Sequence, residues 1–291
     1  MPDSALTVVI ATRDRCDRLA GTLRRLGELP ENPLILVVDN ASTDGTRRML
    51  AERFPTVWTL GLPANRGALA RNEGVAAAPG PYVAFSDDDS WWEPGSLARA
   101  VELLDADPRV GLVAAHTRVA PDGAPDPLNE LLAGSPLPGL AGLPGPSVLG
   151  FLGCAAVVRR SAFLAAGGFH PLLFFGAEET LLAYDLAAAG WVLCHDPRVV
   201  AVHGPDPGPR PGRATVIHRN EALTAWLRRP LPVALAHTCR LARLALGDGE
   251  ARRALGQLLP RLPAALVARR PLPAAVEAAV RHLELTRDPT R

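Results

Sequence analysis

The sequence predicts an α/β fold with a mostly parallel sheet flanked by helices and a helical appendage at the C-terminal end. Three observations predict it. Short β-branched apolar runs recur through the first part of the chain, a segment of helical periodicity follows each of them, and the run Pro81 to Phe85 ends in three consecutive carboxylates, Asp87, Asp88 and Asp89. Near-continuous apolar runs are the mark of strands covered on both faces, as in a sheet between two helix layers. In such a sheet ligands bind outside the carboxyl ends of the strands.

The first strand is expected at Leu6 to Ala11, and Leu19, Leu23 and Leu26 follow it at helical spacing. A second apolar run, Leu34 to Val38, ends at Asp39. The turn Asn40 to Thr46 then supplies residues that start a helix through Met49 and Leu50. Val57 to Leu60 reads as a third strand, and Asn65-Arg66-Gly67 leads into a helix over Ala68 to Ala78. The strand that ends at the acidic triplet comes next. Beyond Trp91-Trp92-Glu93-Pro94-Gly95, a helix through Leu97, Val101 and Leu104 and a strand at Val110 to Ala115 continue the pattern.

Residues 120–149 are crowded with Pro and Gly and read as a long irregular loop facing an acceptor, with a surface insertion as the second reading. Structure resumes at Phe151 to Val158 and turns at Gly167-Gly168-Phe169. A helix opens at Glu178-Glu179 and stops at Gly190. Val192 to His195 and Val199 to His203 read as two strands. Gly204 to Gly212 reads as a flap, Asn220 to Leu227 as a helix, and the Leu, Ala and Arg-rich remainder from Pro230 as helices broken by proline. An Arg-bearing face there, with Arg240, Arg243, Arg252 and Arg253, reads as solvated or as a surface for a membrane or partner.

Composition narrows the function. The chain has 291 residues, 48% hydrophobic and 21% charged, which fits a folded α/β protein. Its net charge of +1 gives no support to a nucleic-acid binder. Cys16, Cys154, Cys194 and Cys239 are too widely spaced for a zinc pattern. Met1 to Ala5 shows no basic segment leading into an apolar run, and there is no uncharged apolar stretch of about 18 residues. A cytoplasmic protein without a transmembrane segment is therefore expected, with peripheral membrane contact left open.

The acidic triplet poses the chemical question. Three adjacent like charges repel and invite a cation, and hard Mg²⁺ or Mn²⁺ prefers oxygen ligands from one or two carboxylates plus substrate phosphates. The plain alternative is a solvated acidic turn with Ser90 as a helix cap. The first strand's turn, Ala11 to Arg15, has no GxGxxG, so a dinucleotide has no glycine loop to bind.

Five segments in order, VVIATRDR, VVDNASTDGT, NRGALARNEG, AFSDDDSWWEPG and AEETLLAYDLAAAGW, resemble a family 2 glycosyltransferase of the GT-A (Rossmann-like) fold over roughly residues 5–228. The resemblance implies an inverting, metal-dependent enzyme with a nucleoside-diphosphate sugar donor of UDP or dTDP type. Its acceptor would be a small molecule, a carrier-bound saccharide or a glycan of the cell envelope or of secondary metabolism. It implies that Thr12, Arg13, Asp39, Arg71, Asp87 and Asp88 seat the nucleotide and that Asp89 holds Mg²⁺ or Mn²⁺. His203 stands where many members ligate the metal. Glu179, or else Glu178, would be the catalytic base at a helix start that favours the carboxylate. Here the sequence departs from the family's Glu-Asp by carrying Glu179, and it has Leu181 where many members have a further Asp. On this reading residues 1–229 form the transferase domain, with a nucleotide-sugar half (1–119) and an acceptor half (120–229), and 230–291 form the extension. Arg210, Arg213 and Arg219 are further candidates for diphosphate, Trp91 and Trp92 for stacking, and His195 reads as structural. The alternatives are a catalytically silent nucleotide-sugar-binding scaffold and a sugar-phosphate nucleotidyltransferase, the latter disfavoured by the missing phosphate loop.

Overall fold

The computed structural model describes residues 5–208 and 210–287; the readings placed on residues 1–4, 209 and 288–291 lie outside them. The described strands are β1 (Leu6–Thr12), β2 (Leu34–Asp39), β3 (Trp58–Gly61), β4 (Tyr82–Ser86), β5 (Ser90–Trp92), β6 (Val110–Val119), β7 (Ala124–Pro125), β8 (Ala156–Arg159) and β9 (Val192–His203). They form one sheet in the order β3-β2-β1-β4-β8-β6-β9-β5, with β7 added to β6. β8 runs antiparallel to β4 and β6, β5 runs antiparallel to β9, β7 runs antiparallel to β6, and the remaining pairs are parallel.

The helices are α1 (Cys16–Gly27), α2 (Thr46–Arg53), α3 (Leu69–Ala77), α4 (Ser96–Ala106), α5 (Leu128–Ala133), α6 (Arg160–Ala166), α7 (Glu178–Ala188), α8 (Arg213–Arg228), α9 (Leu231–Leu244), α10 (Gly249–Leu258), α11 (Leu262–Val267) and α12 (Ala274–Arg287). The strands' alternation divides their side chains between two layers. Val8, Ile10, Ile35 and Val37 meet Leu19, Leu23, Leu50 and Leu104 from α1, α2 and α4. Val9, Leu36, Val38 and Phe85 meet Ala70, Val75, Phe163 and Leu182 from α3, α6 and α7. This is why the strands read as continuous apolar runs. On α3, Gly74 lets the helix lie directly on the sheet, since a Cβ there would collide with Val9 and come within 3.0 Å of Val38. That close approach carries Arg71, one turn earlier, to the mouth of the strands.

Three elements differ from their sequence reading. The stretch 120–149 contains β7 and α5 because its polar residues supply local partners. Asn129 receives the Thr117 N–H on Oδ1 and donates from Nδ2 to the Thr117 carbonyl, while Asp126 accepts the Leu128 N–H at the start of α5. Val192 to His203 is one strand, bent around Asp196, whose buried carboxylate accepts the Arg198 N–H and pairs with Arg99. Ser90 to Trp92, read only as following the triplet, is an edge strand on β9.

The helices after Pro230 pack on α7 and α8 through a third apolar cluster that includes Leu181, Leu223, Leu227, Leu241 and Leu258. At its edge Arg229, 3% exposed in its side chain, pairs with Glu277 at 2.7 Å and Glu284 at 2.6 Å from α12. Breaking a buried pair leaves an uncompensated charge. Arg229→Ala removes the buried partner of Glu277 but leaves it Arg281 at 2.8 Å, and is expected to cost about 1.5–3 kcal/mol in urea unfolding. Glu284→Ala removes only the half-exposed partner and is expected to cost under about 1 kcal/mol.

Candidate active site

Three strands end together. β1 ends at Thr12, β2 at Asp39, and β4 runs directly into Asp87, Asp88 and Asp89. The triplet is a tight turn: the Asp87 N–H donates to Ser90 Oγ at 2.7 Å and the Ser90 N–H to the Asp87 carbonyl at 3.2 Å. Ser90 then enters β5, whose pairing with β9 sets Ser90 opposite His203. His203 Nε2 thereby comes to 3.5 Å from Asp89 Oδ1, and the Gly204 N–H donates to the Asp89 carbonyl at 2.7 Å.

Each carboxylate has a different environment. Asp88 turns inward, accepting from Thr12 Oγ1 at 2.9 Å and from Arg15 Nε at 2.6 Å, while Thr22 Oγ1 donates to its main-chain carbonyl at 2.8 Å. Burial is the largest influence on Asp88 and outweighs Arg15, raising its carboxyl to about 6. Asp89 receives Arg15 Nη2 on Oδ2 at 2.8 Å. Asp87 pairs with Arg71, a buried guanidinium that lies 5.8 Å over the Phe169 ring. Arg15 also donates to Asp206 at 2.5 Å, and Asp206 pairs with Arg18, so residues 204–208 are tied to the triplet through α1. Arg15 and Asp206 were not singled out from the sequence; the only signal is an Arg in the turn after β1.

On the other side of β1 a crevice opens next to Asp39, which reaches its lining through Arg47. Asp39 is fully buried, accepts the Ser42 N–H at 3.1 Å and pairs with Arg47. A cavity of about 410 Å³ opens beside it between Ser42, Thr43, Arg47, Gly61 and Leu62, at the carboxyl ends of β2 and β3. Thr12 is buried with its hydroxyl on Asp88, and Arg13 is exposed and paired with Asp14. Asp14 accepts the Thr43 N–H at 2.6 Å and so fixes one loop to the other.

Across the strand mouth α7 begins with Glu178 and Glu179. Glu179 Oε1 accepts the Gly153 N–H at 3.2 Å. Glu178 is buried, with Oε1 at 4.0 Å from Arg71 Nη1 and no hydrogen-bond partner for Oε2; Arg71 Nε likewise lacks one. Burial pushes both carboxyls up; the charge of Glu179 adds to the rise of Glu178, which reaches about 8, and Glu179 shifts in the same direction with Asp87 adding to it. The backbone N–H on Glu179 favours its charged form. The loop before α7 is fixed by Asn220 Nδ2, which donates to the carbonyls of Leu173 and Phe175 at 2.9 and 3.0 Å and to that of Gly176. It holds Phe174 and Ala177 in the left-handed region, φ 62° and 59°, a conformation found where the surroundings impose it.

The remaining candidates scatter. Arg219 is not on the flap or in solvent: it is buried, donating to Gln257, Asn220 and the Leu173 carbonyl. Arg210 and Arg213 are exposed. Trp92 is buried and donates to Ser86 Oγ at 3.1 Å, whereas Trp91 lies half-buried under Arg25 at 4.0 Å. His195 is buried with Nδ1 3.0 Å from the Ala114 carbonyl. Among the described residues no three His, Cys, Asp or Glu side chains form a metal-holding group. Asp89 and His203 nevertheless fit a hard divalent ion that draws its other ligands from phosphate oxygens, since one carboxylate oxygen and one imidazole nitrogen converge there.

Comparison with known proteins places this geometry. The sequence profile described as glycosyl transferase family 2 matches residues 7–165. The N-acetylglucosaminyl-diphospho-decaprenol L-rhamnosyltransferase of Mycobacterium tuberculosis is 28% identical over 269 residues, covering 78% of this chain and 87% of the relative. A mannosyltransferase from Pyrobaculum calidifontis, solved with GDP-Man and Mn²⁺, is 25% identical with a TM-score of 0.57, covering 98% of this chain and 81% of that one. S. aureus TarS 1-349, solved with UDP-GlcNAc, shares the fold at 16% identity and a TM-score of 0.63, covering 97% of this chain and 87% of that one.

The glutamate pair gives a pH signature. Glu178 ionises near 8 in the folded chain against an ordinary 4.5, so the folded state holds the extra proton between those values. Stability therefore falls as pH rises through that window. Urea unfolding at pH 6 and 8.5 should show this decline in the wild type. In Glu178→Gln it should be much reduced, leaving the variant about 2–4 kcal/mol more stable than wild type at the higher pH.

Proposed function

This chain belongs to glycosyl transferase family 2 and has the GT-A fold, and we propose that it moves a sugar from a nucleoside-diphosphate donor to a carrier-bound saccharide, inverting the anomeric carbon. A UDP- or dTDP-type donor is the reading. The similarity to an enzyme named for L-rhamnosyl transfer onto a diphospho-decaprenol-linked sugar supports the choice of acceptor class. The observation that carries the proposal is the meeting, at one sheet edge, of the Asp89–His203 pair with Arg71, Asp87 and the two glutamates.

Asp39 and the crevice beside β2 take the nucleoside, with Thr12, Arg13, Arg71 and Asp87 around it. Asp88, turned onto Thr12 and Arg15, keeps the triplet in shape. Asp89 and His203 would hold Mg²⁺ or Mn²⁺, which when bound supplies Lewis-acid stabilisation of charge on the departing diphosphate. The acceptor hydroxyl attacks the anomeric carbon on the face opposite the diphosphate, and the sugar–phosphate bond breaks with its electron pair going to the leaving group. Glu179 takes the hydroxyl proton. It is the better base because its Oε1 already accepts the Gly153 N–H, which favours the charged form. No helix among the described residues is long and apolar enough to cross a membrane, and we place the reaction on the cytoplasmic side.

Calorimetric titration of UDP and dTDP, with and without Mn²⁺, tests the donor site directly. Wild type should bind one of the two only with metal, and Asp89→Ala should abolish that binding; silence of both nucleotides with Mn²⁺ present would sink the donor assignment. Once donor and acceptor are found, Glu179→Gln should lower kcat by about 10²–10⁴ with nucleotide affinity unchanged. An equal loss confined to Glu178→Gln would exchange the roles of the two.

A further inference from the structure

Helix α9 has two apolar sides. Ala234, Leu241 and the following Ala245 are buried in the cluster shared with α8 and α10. At helical spacing Leu231, Leu235 and Cys239 share a separate face, about 100° around the axis from that buried side. All three are exposed, Leu231 at 49% and Leu235 at 52%, and Leu246, two residues past the helix, is 84% exposed. Arg243 borders the stripe about 40° beyond Cys239, Arg240 lies farther round the same open side of the helix, and both are exposed. Arg252 of α10 donates from Nε to the Ala245 carbonyl at 3.2 Å, which sets a third guanidinium beside Leu246.

A lone exposed leucine needs no explanation, but an aligned apolar stripe edged by cations does. Exposure of large apolar side chains concentrates in this part of the molecule: Leu259, Leu266, Val267 and Leu285 also lie open in the helices after Pro230. Charge concentrates there too. Residues 230–287 carry nine arginines against four acids, in a chain whose net charge is only +1.

We propose that the outer face of α9 docks the protein on an anionic lipid bilayer, with Leu231, Leu235 and Leu246 entering the headgroup region and Arg240, Arg243 and Arg252 meeting lipid phosphates. Apolar area on one face and cations at its border are the two attractions that hold a helix in the plane of a membrane surface. A second copy of the chain is the poorer occupant, because apposed stripes would bring the arginines of both copies together. The proposal deepens the carrier-bound acceptor reading and rests on it for its purpose, since a diphospho-lipid carrier is presented at such a surface. The link to the site is mechanical. α8 packs on α9, and its Arg219 and Asn220 hold the loop that leads into Glu178.

Flotation of the full chain with vesicles of phosphatidylcholine, alone or with phosphatidylglycerol, tests the docking. Wild type should float with the anionic vesicles and be released by high salt. Leu235→Glu and the pair Arg240→Glu with Arg243→Glu should each cut the bound fraction about fivefold or more. Nucleotide titration on the same variants checks that they are folded. Wild type that stays behind with both vesicle types overturns the proposal, as does flotation that survives both variants. A wild-type dimer in sedimentation that Leu235→Glu splits also overturns it, in favour of a second copy. Vesicle binding without nucleotide binding would leave the docking face standing and remove the donor reading alone.

Discussion

Three adjacent carboxylates at the mouth of a buried sheet are tolerable only if cations compensate them, and much of the site's construction follows from that constraint. Two of the three are buried, where unpaired charge is most costly. The chain answers with two guanidiniums from opposite sides. Arg15, at the entry to α1, spans Asp88 and Asp89, and Arg71 from α3 takes Asp87. Each arrives by a backbone device. The first is the short turn after β1, and the second is the close seat of α3 on the sheet at Gly74. Removing either would leave carboxylates facing one another at the mouth of the strands without a compensating cation.

The same compensation distributes roles among chemically identical groups. Asp88, with Thr12 and Arg15 on its two oxygens, is spent on structure. Asp89 keeps Oδ1 facing His203, and Asp87 faces the arginine that also approaches the glutamate pair. Three acids in a row thus face three different partners: Thr12 and Arg15 at Asp88, His203 at Asp89, and Arg71 at Asp87. Nothing in the triplet's composition distinguishes them; the distinction lies in what faces each oxygen.

That difference explains what could be read from the sequence. The strands β1, β2 and β4 and the helix carrying Leu19, Leu23 and Leu26 were legible because local periodicity and two-sided burial leave a pattern in consecutive residues. The ends of those strands pointed to the crevice, and the order of five motifs pointed to the family. Asp206 was not legible as a partner of Arg15, from which it lies 191 residues away, and only the β5–β9 pairing shows that His203 meets Asp89. Asn129 illustrates the same limit within the 120–149 stretch. Its amide closes both groups of Thr117, but a Pro/Gly-rich composition conceals one well-placed Asn. Arg219 looked like a phosphate ligand beside a flap and proved to be a buried strut.

Arg71 is where the two halves of the site communicate. Its guanidinium pairs with Asp87 and lies 4.0 Å from Glu178, and its charge lowers both glutamate carboxyls while that of Asp87 raises them. A ligand that neutralises Asp87 therefore removes one of the influences holding a proton on the pair, and it frees more of the Arg71 field to act on Glu178. Both changes favour the ionised state. The two sides are coupled through a single buried cation, so neutralising Asp87 lowers both glutamate carboxyls and leaves more of the pair ionised. An isolated glutamate at a helix start would have its charge from the outset, whereas the charge of the buried pair depends on what faces Asp87 and Arg71.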